Sequence, residues 1–409
     1  MKPLLQLLKA SGWAHKDEVD LLSFKKYFLV FYFLIQILFP SFTDAKELPE
    51  FYRGVRATGM GNAFTAVADD ADSIFYNPAG LAMNRSIDID LINPKIDVSH
   101  DDFEARGAIT DVAKDLNATT VSAIFGKNIY GNAVIFPALH FPYFVIGYYL
   151  AGNAHLIAKN LSLPSVEVSY LYDRGVIGGF GYETRGLTKK QFFRFGIGVK
   201  WLRRIGYDDV LPVTTLATAN RSFIRTLRRG PNSGIGLSPG FQYEIPLGKM
   251  DDFILGVAWL DAGDVNFNMG GASEPPPIRS NFTTGFAYTH RLGTNWRTIN
   301  NLKYAFDIRH LLEKNKDPRL KLHTGIELEV GPISVQSGVS QDSFTVGVGL
   351  DLATIKVTAS TYGVQNQSLA LMNRERRYMA QFIWRFDLMG VEFKTKRDEY
   401  RRKHPRSYY

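Results

Sequence analysis

From about residue 86 to residue 388 the chain alternates apolar with polar or small positions at a period of two. Over residues 300–311, Leu302, Tyr304, Phe306 and Ile308 share one face, and Lys303, Ala305, Asp307 and Arg309 share the other. Over residues 319–330, Leu320, Leu322, Ile326, Leu328 and Val330 oppose Lys321, His323, Glu327 and Glu329. The same alternation sets Phe344, Val346, Val348 and Leu350 against Thr345, Gly347, Gly349 and Asp351, and sets Phe193, Phe195, Ile197, Val199 and Trp201 against Arg194, Gly196, Gly198 and Lys200. Near the end, Tyr378, Ala380, Phe382, Trp384 and Phe386 oppose Met379, Gln381, Ile383, Arg385 and Asp387. Each run is a strand with an oily side and a small or charged side.

Most of the segments are nine to thirteen residues long, which exceeds the length usual in soluble sheets and matches tilted strands that cross a bilayer. They fall near 86–98, 118–126, 130–138, 142–151, 164–173, 176–186, 191–203, 236–247, 251–261, 281–291, 300–311, 319–330, 333–339 with 343–352, 353–363 and 377–388. About fourteen strands are expected, because an even number closes an antiparallel barrel. A soluble β-sandwich would share the alternation but bury its apolar face. In a membrane barrel the burial is reversed, and charges such as Asp307 and Arg309 are less costly beside a watery lumen than in a dry core. The expected fold is therefore all-β, a transmembrane antiparallel β-barrel of about 14 strands over residues 86–393.

Composition narrows the chemistry. Among 409 residues there is no cysteine, which removes thiol catalysis, thiolate metal sites and disulfides. The 36 glycines, 29 phenylalanines and 20 tyrosines suit tight turns and ring-rich strand faces. Residues 1–45 read as a signal peptide, with Lys25 and Lys26 ahead of an apolar run ending at Phe39 that is too short to span a bilayer as a helix. The net charge of +8 is concentrated at the ends: residues 394–409 contribute +5 and residues 1–45 contribute +1, leaving +2 on the body. With no basic stripe on the folded part, nucleic acid is not an expected partner. The basic C-terminal tail reads as a solvated extension.

Between the signal and the strands lies Arg53-Gly-Val-Arg-Ala-Thr-Gly-Met-Gly-Asn-Ala-Phe-Thr-Ala-Val-Ala-Asp-Asp-Ala-Asp-Ser-Ile-Phe-Tyr-Asn-Pro-Ala-Gly80. Gly54, Gly59, Gly61, Ala57, Ala63, Ala66, Ala68 and Ala71 make it small on nearly every face, which suits a space where backbones approach closely. Asn77-Pro78-Ala79-Gly80 is a turn former, since Pro78 fixes φ and the Asn77 amide can bond nearby backbone. Asp69, Asp70 and Asp72 lack the spacing of a calcium loop.

The stretch from Gly54 to Ala82 closely resembles the N-terminal region of the outer-membrane long-chain fatty-acid transporter family, in particular its PorV-like branch. The resemblance implies a fourteen-stranded barrel whose N-terminal hatch, residues 46–85, folds into the lumen. It places Asn77, Pro78, Ala79 and Gly80 at the hatch turn, and Gly59 and Gly61 where the hatch threads along the wall. It also implies an outer-membrane location, lipid as the surroundings, and passive uptake of hydrophobic small molecules such as long-chain fatty acids, released sideways through the wall or past the hatch. The PorV-like branch implies the alternative of a scaffold that docks secreted proteins. A monomeric barrel is expected, alone or within an envelope complex. Phe386 or Phe393 stands where such a barrel carries its terminal aromatic residue, although the chain continues to Tyr409.

Two long connections, 204–235 and 262–280, suggest mobile loops, a lid or a docking surface. The first carries Arg221, Arg225, Arg228 and Arg229. Neither a phosphate loop nor a zinc-protease motif occurs, and the one Gly-x-Ser-x-Gly pattern, Gly236 to Gly240, opens an expected strand rather than a strand-to-helix turn. No enzyme activity, cofactor or metal site is expected.

Overall fold

The structure is a computed structural model. It describes residue 48 and residues 50–105, 107, 127–159, 165–188, 190–212, 229–247, 250–271, 273–292, 299–314, 316–368 and 371–388. The signal segment, the basic tail, Phe393, Arg221, Arg225, Arg228 and the expected strand at 118–126 lie outside the described residues.

Fourteen antiparallel strands close into a barrel. Two are interrupted: β1 consists of Asp88–Ile92 and Lys95–Ser99, and β2 of Asn128–Ile135 and Ala138–Phe141. They are followed by β3 (Phe144–Lys159), β4 (Ser165–Arg185), β5 (Phe192–Pro212), β6 (Arg229–Pro246), β7 (Asp251–Leu260), β8 (Asn281–Arg291) and β9 (Ile299–Ile308). The circuit continues through β10 (Leu322–Val330), β11 (Ile333–Ser340), β12 (Ser343–Asp351), β13 (Ile355–Ser368) and β14 (Leu371–Asp387). Both halves of β1 pair with β14, Asp88 opposite Asp387 and Val98 opposite Tyr378, and this closes the circle.

The side-chain faces decide between barrel and sandwich. On β5, Phe195 is 50% exposed and Trp201 53%, whereas Arg194 is fully buried. On β12, Phe344 and Val348 are exposed and Thr345 is buried. The large apolar residues thus form an outer belt while the charged and small ones fill the inside, the burial expected of a membrane barrel and the reverse of a soluble one.

Two expectations about the strands are corrected, and a third point that the alternation left open, whether 333–339 stands as its own strand, is decided. Segments 164–173 and 176–186 form one continuous strand, β4, because Gly175 continues the ladder opposite Leu202. A side chain at Gly175 would meet the Trp201 carbonyl. Segments 333–339 and 343–352 are separate strands, joined by Gln341 and Asp342 with φ of 49° and 61°. Finally, β5 runs to Pro212 and β6 begins at Arg229, so the connection expected at 204–235 shrinks to 213–228. Arg204 belongs to the inner wall, paired with Asp173, and Arg229 starts a strand with its guanidinium 5.8 Å from the centre of the Tyr207 ring.

The connections after β2, β4, β6, β10 and β12 are short, whereas at the opposite end those after β1, β5, β7 and β9 are long and those after β3, β11 and β13 are short. This gives the barrel a short-turn end, where residue 85 enters β1 and β14 finishes, and a long-loop end.

Candidate functional site: a plugged lumen beside a break in the wall

Residues 50–85 fill the lumen as a folded hatch. It contains a helical turn α1 (Val55–Gly59), a second α2 (Ser73–Tyr76) and a 3-10 turn over Pro78–Met83. Helices this short do not persist alone in water, so the wall must hold them. It does so by bonding hatch backbone groups that regular secondary structure leaves unpaired. The Asp307 carboxylate accepts from the amides of Phe64 at 2.8 Å and Thr65 at 2.7 Å. The Gln242 amide reaches the carbonyls of Thr65 and Ala68, each at 3.3 Å. Thr345 Oγ1 accepts from Gly61 N at 3.0 Å and donates to Gly59 O at 2.9 Å, and His323 Nδ1 meets Gly61 O at 2.9 Å.

The turn residues bind the hatch to itself and to the wall. Asn77 Nδ2 donates to Thr65 O at 2.9 Å and to Phe241 O on β6 at 3.0 Å, and Asn77 Oδ1 accepts from Ala79 N at 3.2 Å. Pro78 begins the 3-10 turn, where its missing N–H costs nothing. Asn77, Pro78, Ala79 and Gly80 are all buried. A Cβ at Gly80 would lie 2.1 Å from Ala68 O. Gly61 has φ of 64°, and a Cβ there would lie 2.3 Å from Thr324 O; at Gly59 it would press on Gly347. The wall answers in kind: a Cβ at Gly196 would lie 2.1 Å from Pro78 C, and at Gly325 2.1 Å from Met60 O. Backbone therefore meets backbone, and both partners need glycine for it.

Charge fixes the two ends of the hatch. Toward the short turns, Arg56 grips Glu327 in bidentate fashion at 2.7 and 2.6 Å and contacts Asp69 at 2.6 Å and Asp70 at 3.0 Å. Lys303 completes the cluster, 3.2 Å from Asp69 and 2.8 Å from Glu329. A cavity of about 460 Å³ opens there, lined by Arg56, Asp69, Lys303, Glu327, Glu329 and Lys356. At the long-loop end Glu50 accepts from Asn62 Nδ2 at 2.9 Å and from Arg309 Nε at 3.1 Å. The sequence placed Asp307 and Arg309 as a lumen pair; instead Asp307 serves hatch amides and Arg309 serves Glu50.

Hatch acids titrate in opposite directions. Burial raises the Asp72 carboxyl, Asp70 adds to it, and together they push it to about 6 despite Lys95 and the Tyr52 hydroxyl. Burial would raise Asp69 as well, but Arg56 and Lys303 outweigh it and bring it to about 2. Glu50 is likewise held well below its usual value, burial being overcome by Arg309, His310 and Arg53. An acid raised on folding destabilises the folded form above its folded pKa, a cost relieved as pH falls toward its unfolded value. Acids lowered on folding contribute stability above their unfolded values of about 4, and that is lost as pH drops further. Through Asp69 and Glu50, hatch docking should weaken as pH falls below about 4. Amide exchange at Phe64 and Thr65 reads this directly; protection that is unchanged between about pH 5 and 3 would contradict it.

Above the hatch lies a cavity of about 230 Å³ lined by Phe51, Tyr52, Val134, Tyr149, Leu171 and Met379, with Lys95, Asp97, Asp173 and Arg204 among its polar groups. The connection 261–280 folds back at its mouth and buries Val265, Phe267 and Ile278. Arg204 holds it, donating to Pro276 O at 2.8 Å while gripping Asp173 with two bonds of 2.7 Å. Lys200 pairs with Asp261 at 2.8 Å. This connection is thus a fixed cover on one side of the mouth.

The cavity abuts a break in the barrel wall. The lower halves of β1 and β2 pair with Asp90 opposite Ala138, and the upper halves with Lys95 opposite Val134, one residue out of register. Pro94 and Pro137 stand in the interval, and neither can donate to a ladder. The Asn93 side chain spans it instead, acting as a surrogate peptide: its Oδ1 accepts from Phe136 N at 2.6 Å and its Nδ2 donates to Phe136 O. Leu91, Ile92 and Ile135 are exposed on the outer side, while Phe136 is buried inside against Phe75 and Tyr149. The sequence reading missed this feature because its expected strand 86–98 ran straight through Asn93-Pro94. The signal was two prolines in segments otherwise patterned as spanning strands.

No family model and no curated protein matches the chain. Among solved structures, the Pseudomonas putida toluene transporter TodX aligns at 11% identity over 84% of this chain and 99% of its own, with a TM-score of 0.38. The CymD monoaromatic hydrocarbon channel gives 10% identity, 85% and 99% coverage and a TM-score of 0.43. The Ralstonia pickettii toluene transporter TbuX gives 8%, 85% and 100%, and 0.42.

Proposed function

We propose that this chain is an outer-membrane channel for passive uptake of small hydrophobic molecules, which enter at the long-loop end, rest above the hatch and leave sideways through the break between β1 and β2. The observation that carries the reading is continuity: Val134 and Lys95 line the cavity and also flank the break. A path straight through would have to displace the hatch and cross the Arg56–Glu327–Lys303 cluster, whose charges are bonded to one another. The sideways path meets Phe136 on the inside and Leu91, Ile92 and Ile135 on the outside, and it delivers an apolar solute into lipid without returning it to water.

Size bears on the substrate. A cavity of about 230 Å³ is smaller than sites that enclose drug-sized ligands. It suits a ring-sized molecule or one end of a longer chain, and a whole long-chain fatty acid would extend into the break. Asn77, Pro78, Ala79, Gly80, Gly59 and Gly61 then act as the fastening of the hatch.

The test is uptake into vesicles bearing the purified barrel, comparing a ring-sized apolar probe with a polar solute of equal size. Selective acceleration of the apolar probe is expected. Equal rates would indicate a simple pore. No acceleration, with a secreted protein co-purifying, would favour the docking scaffold.

A further inference from the structure

We propose that Asp88, Asp90 and His140 form a binding site for a divalent metal ion of the zinc class on the inner wall at the short-turn end. The proposal does not depend on what the barrel transports.

The placement follows from strand geometry. Asp88 and Asp90 are two apart on β1 and so point to one face. His140 lies directly opposite Asp88 on β2. One ligand atom from each of the three side chains lies within 4.8 Å of the other two. Tetrahedral zinc with bonds near 2.1 Å sets its ligand atoms about 3.4 Å apart, so closure needs side-chain shifts of about an ångström. Two carboxylates and one imidazole are a donor set that zinc, cobalt(II) and manganese(II) accept.

A second observation separates this cluster from an ordinary group of lumen acids. All three residues are at least 95% buried, yet among the described residues Asp88 Oδ1 and His140 Nε2 have no hydrogen bond of good geometry. Buried polar atoms left in that state cost free energy. His140 Nε2 stands 3.3 Å from Asp90 Oδ2, and Asp88 Oδ1 stands 3.5 Å from Arg385 Nε. A cation among these atoms would satisfy both unbonded groups together.

The neighbours support such an ion. Arg385 on β14 donates from Nε to Asp90 Oδ1 at 2.7 Å and from Nη2 to Oδ2 at 3.2 Å. Ser86 donates to the other oxygen of Asp88. These bonds hold the carboxylates in place, as outer partners of metal ligands do. With Arg385 counted, the cluster carries one net negative charge when His140 is neutral, so a divalent ion is not repelled. The sequence reading expected no metal because the ligands come from positions 88, 90 and 140, a spacing no linear motif contains. A bound ion would pin the lower halves of β1 and β2 together just beneath the Asn93 break.

The experiment uses the full-length barrel in detergent, stripped with chelator and then titrated with cobalt(II) and zinc. One equivalent is expected to bind at micromolar concentration at pH 7.5, with visible absorption typical of low-coordinate cobalt that zinc displaces. His140→Ala and Asp88→Asn are each expected to weaken binding at least tenfold, whereas His155→Ala, on another part of the inner wall, leaves it unchanged. Heat-dependent gel mobility reports whether each variant is folded; if His140→Ala is not, Asp88→Asn and His140→Gln decide. Absence of stoichiometric binding would overturn the proposal and leave an ion-pair cluster of Asp88, Asp90 and Arg385. So would binding that persists unchanged in the folded variants.

Discussion

Replacing Asn93 with alanine is expected to raise uptake of a ring-sized apolar probe on the order of tenfold while leaving ion conductance nearly unchanged. The substitution removes both bonds across the break and leaves the N–H and C=O of Phe136 without partners. Each such loss costs about 1–3 kcal/mol, and about 1.4 kcal/mol on the closed state is tenfold in the open population. The barrel itself stays closed, because both halves of β1 remain paired with β14. Asn153→Ala serves as a control, since Asn153 lines the same cavity away from the break. Uptake by Asn93→Ala equal to that of the unmodified protein would remove the break from the route.

Arg56→Leu is expected to have the opposite selectivity: frequent large ion-conducting steps in planar bilayers, where the unmodified barrel is nearly silent. Arg56 contacts three acids at once, Glu327, Asp69 and Asp70. Without it Lys303 alone must balance them. Breaking a buried pair from one side costs about 3–5 kcal/mol because the remaining charge is stranded. That is comparable to several of the hydrogen bonds that hold the hatch to the wall. Adding Glu327→Leu removes one of the stranded charges, the most deeply buried, and should quieten the channel in part. If the double variant is as leaky as the single one, the ion cluster is not the fastening.

The strand faces were legible in the sequence because a period of two is a local property. Leu302 through Arg309 reads correctly without knowledge of its neighbours, and so does Phe344 through Asp351. Boundaries were less legible where glycine continues a strand, as Gly175 does, since glycine signals a turn equally well. The small residues around Gly59, Gly61 and Asn77 signalled close packing, but not what they packed against. Gly196, Gly240 and Gly325 supply that surface from three separate strands.

The features with most bearing on function were invisible for one reason. Arg56 meets Glu327 across 271 positions, and Asn93 meets Phe136 across 43. The first depends on how the hatch seats in the closed lumen, and the second on which strands become neighbours when the barrel closes. Pro94 and Pro137 could be seen individually, but only the pairing of β1 with β2 puts them at one level of the wall.

The most direct test of this account is the rate at which vesicles containing the barrel take up a ring-sized apolar probe relative to a polar solute of equal size. Rapid uptake of the apolar probe alone, by a barrel that remains electrically quiet, is the predicted result. Equal uptake of the two solutes, or uptake no faster than in protein-free vesicles, would contradict it.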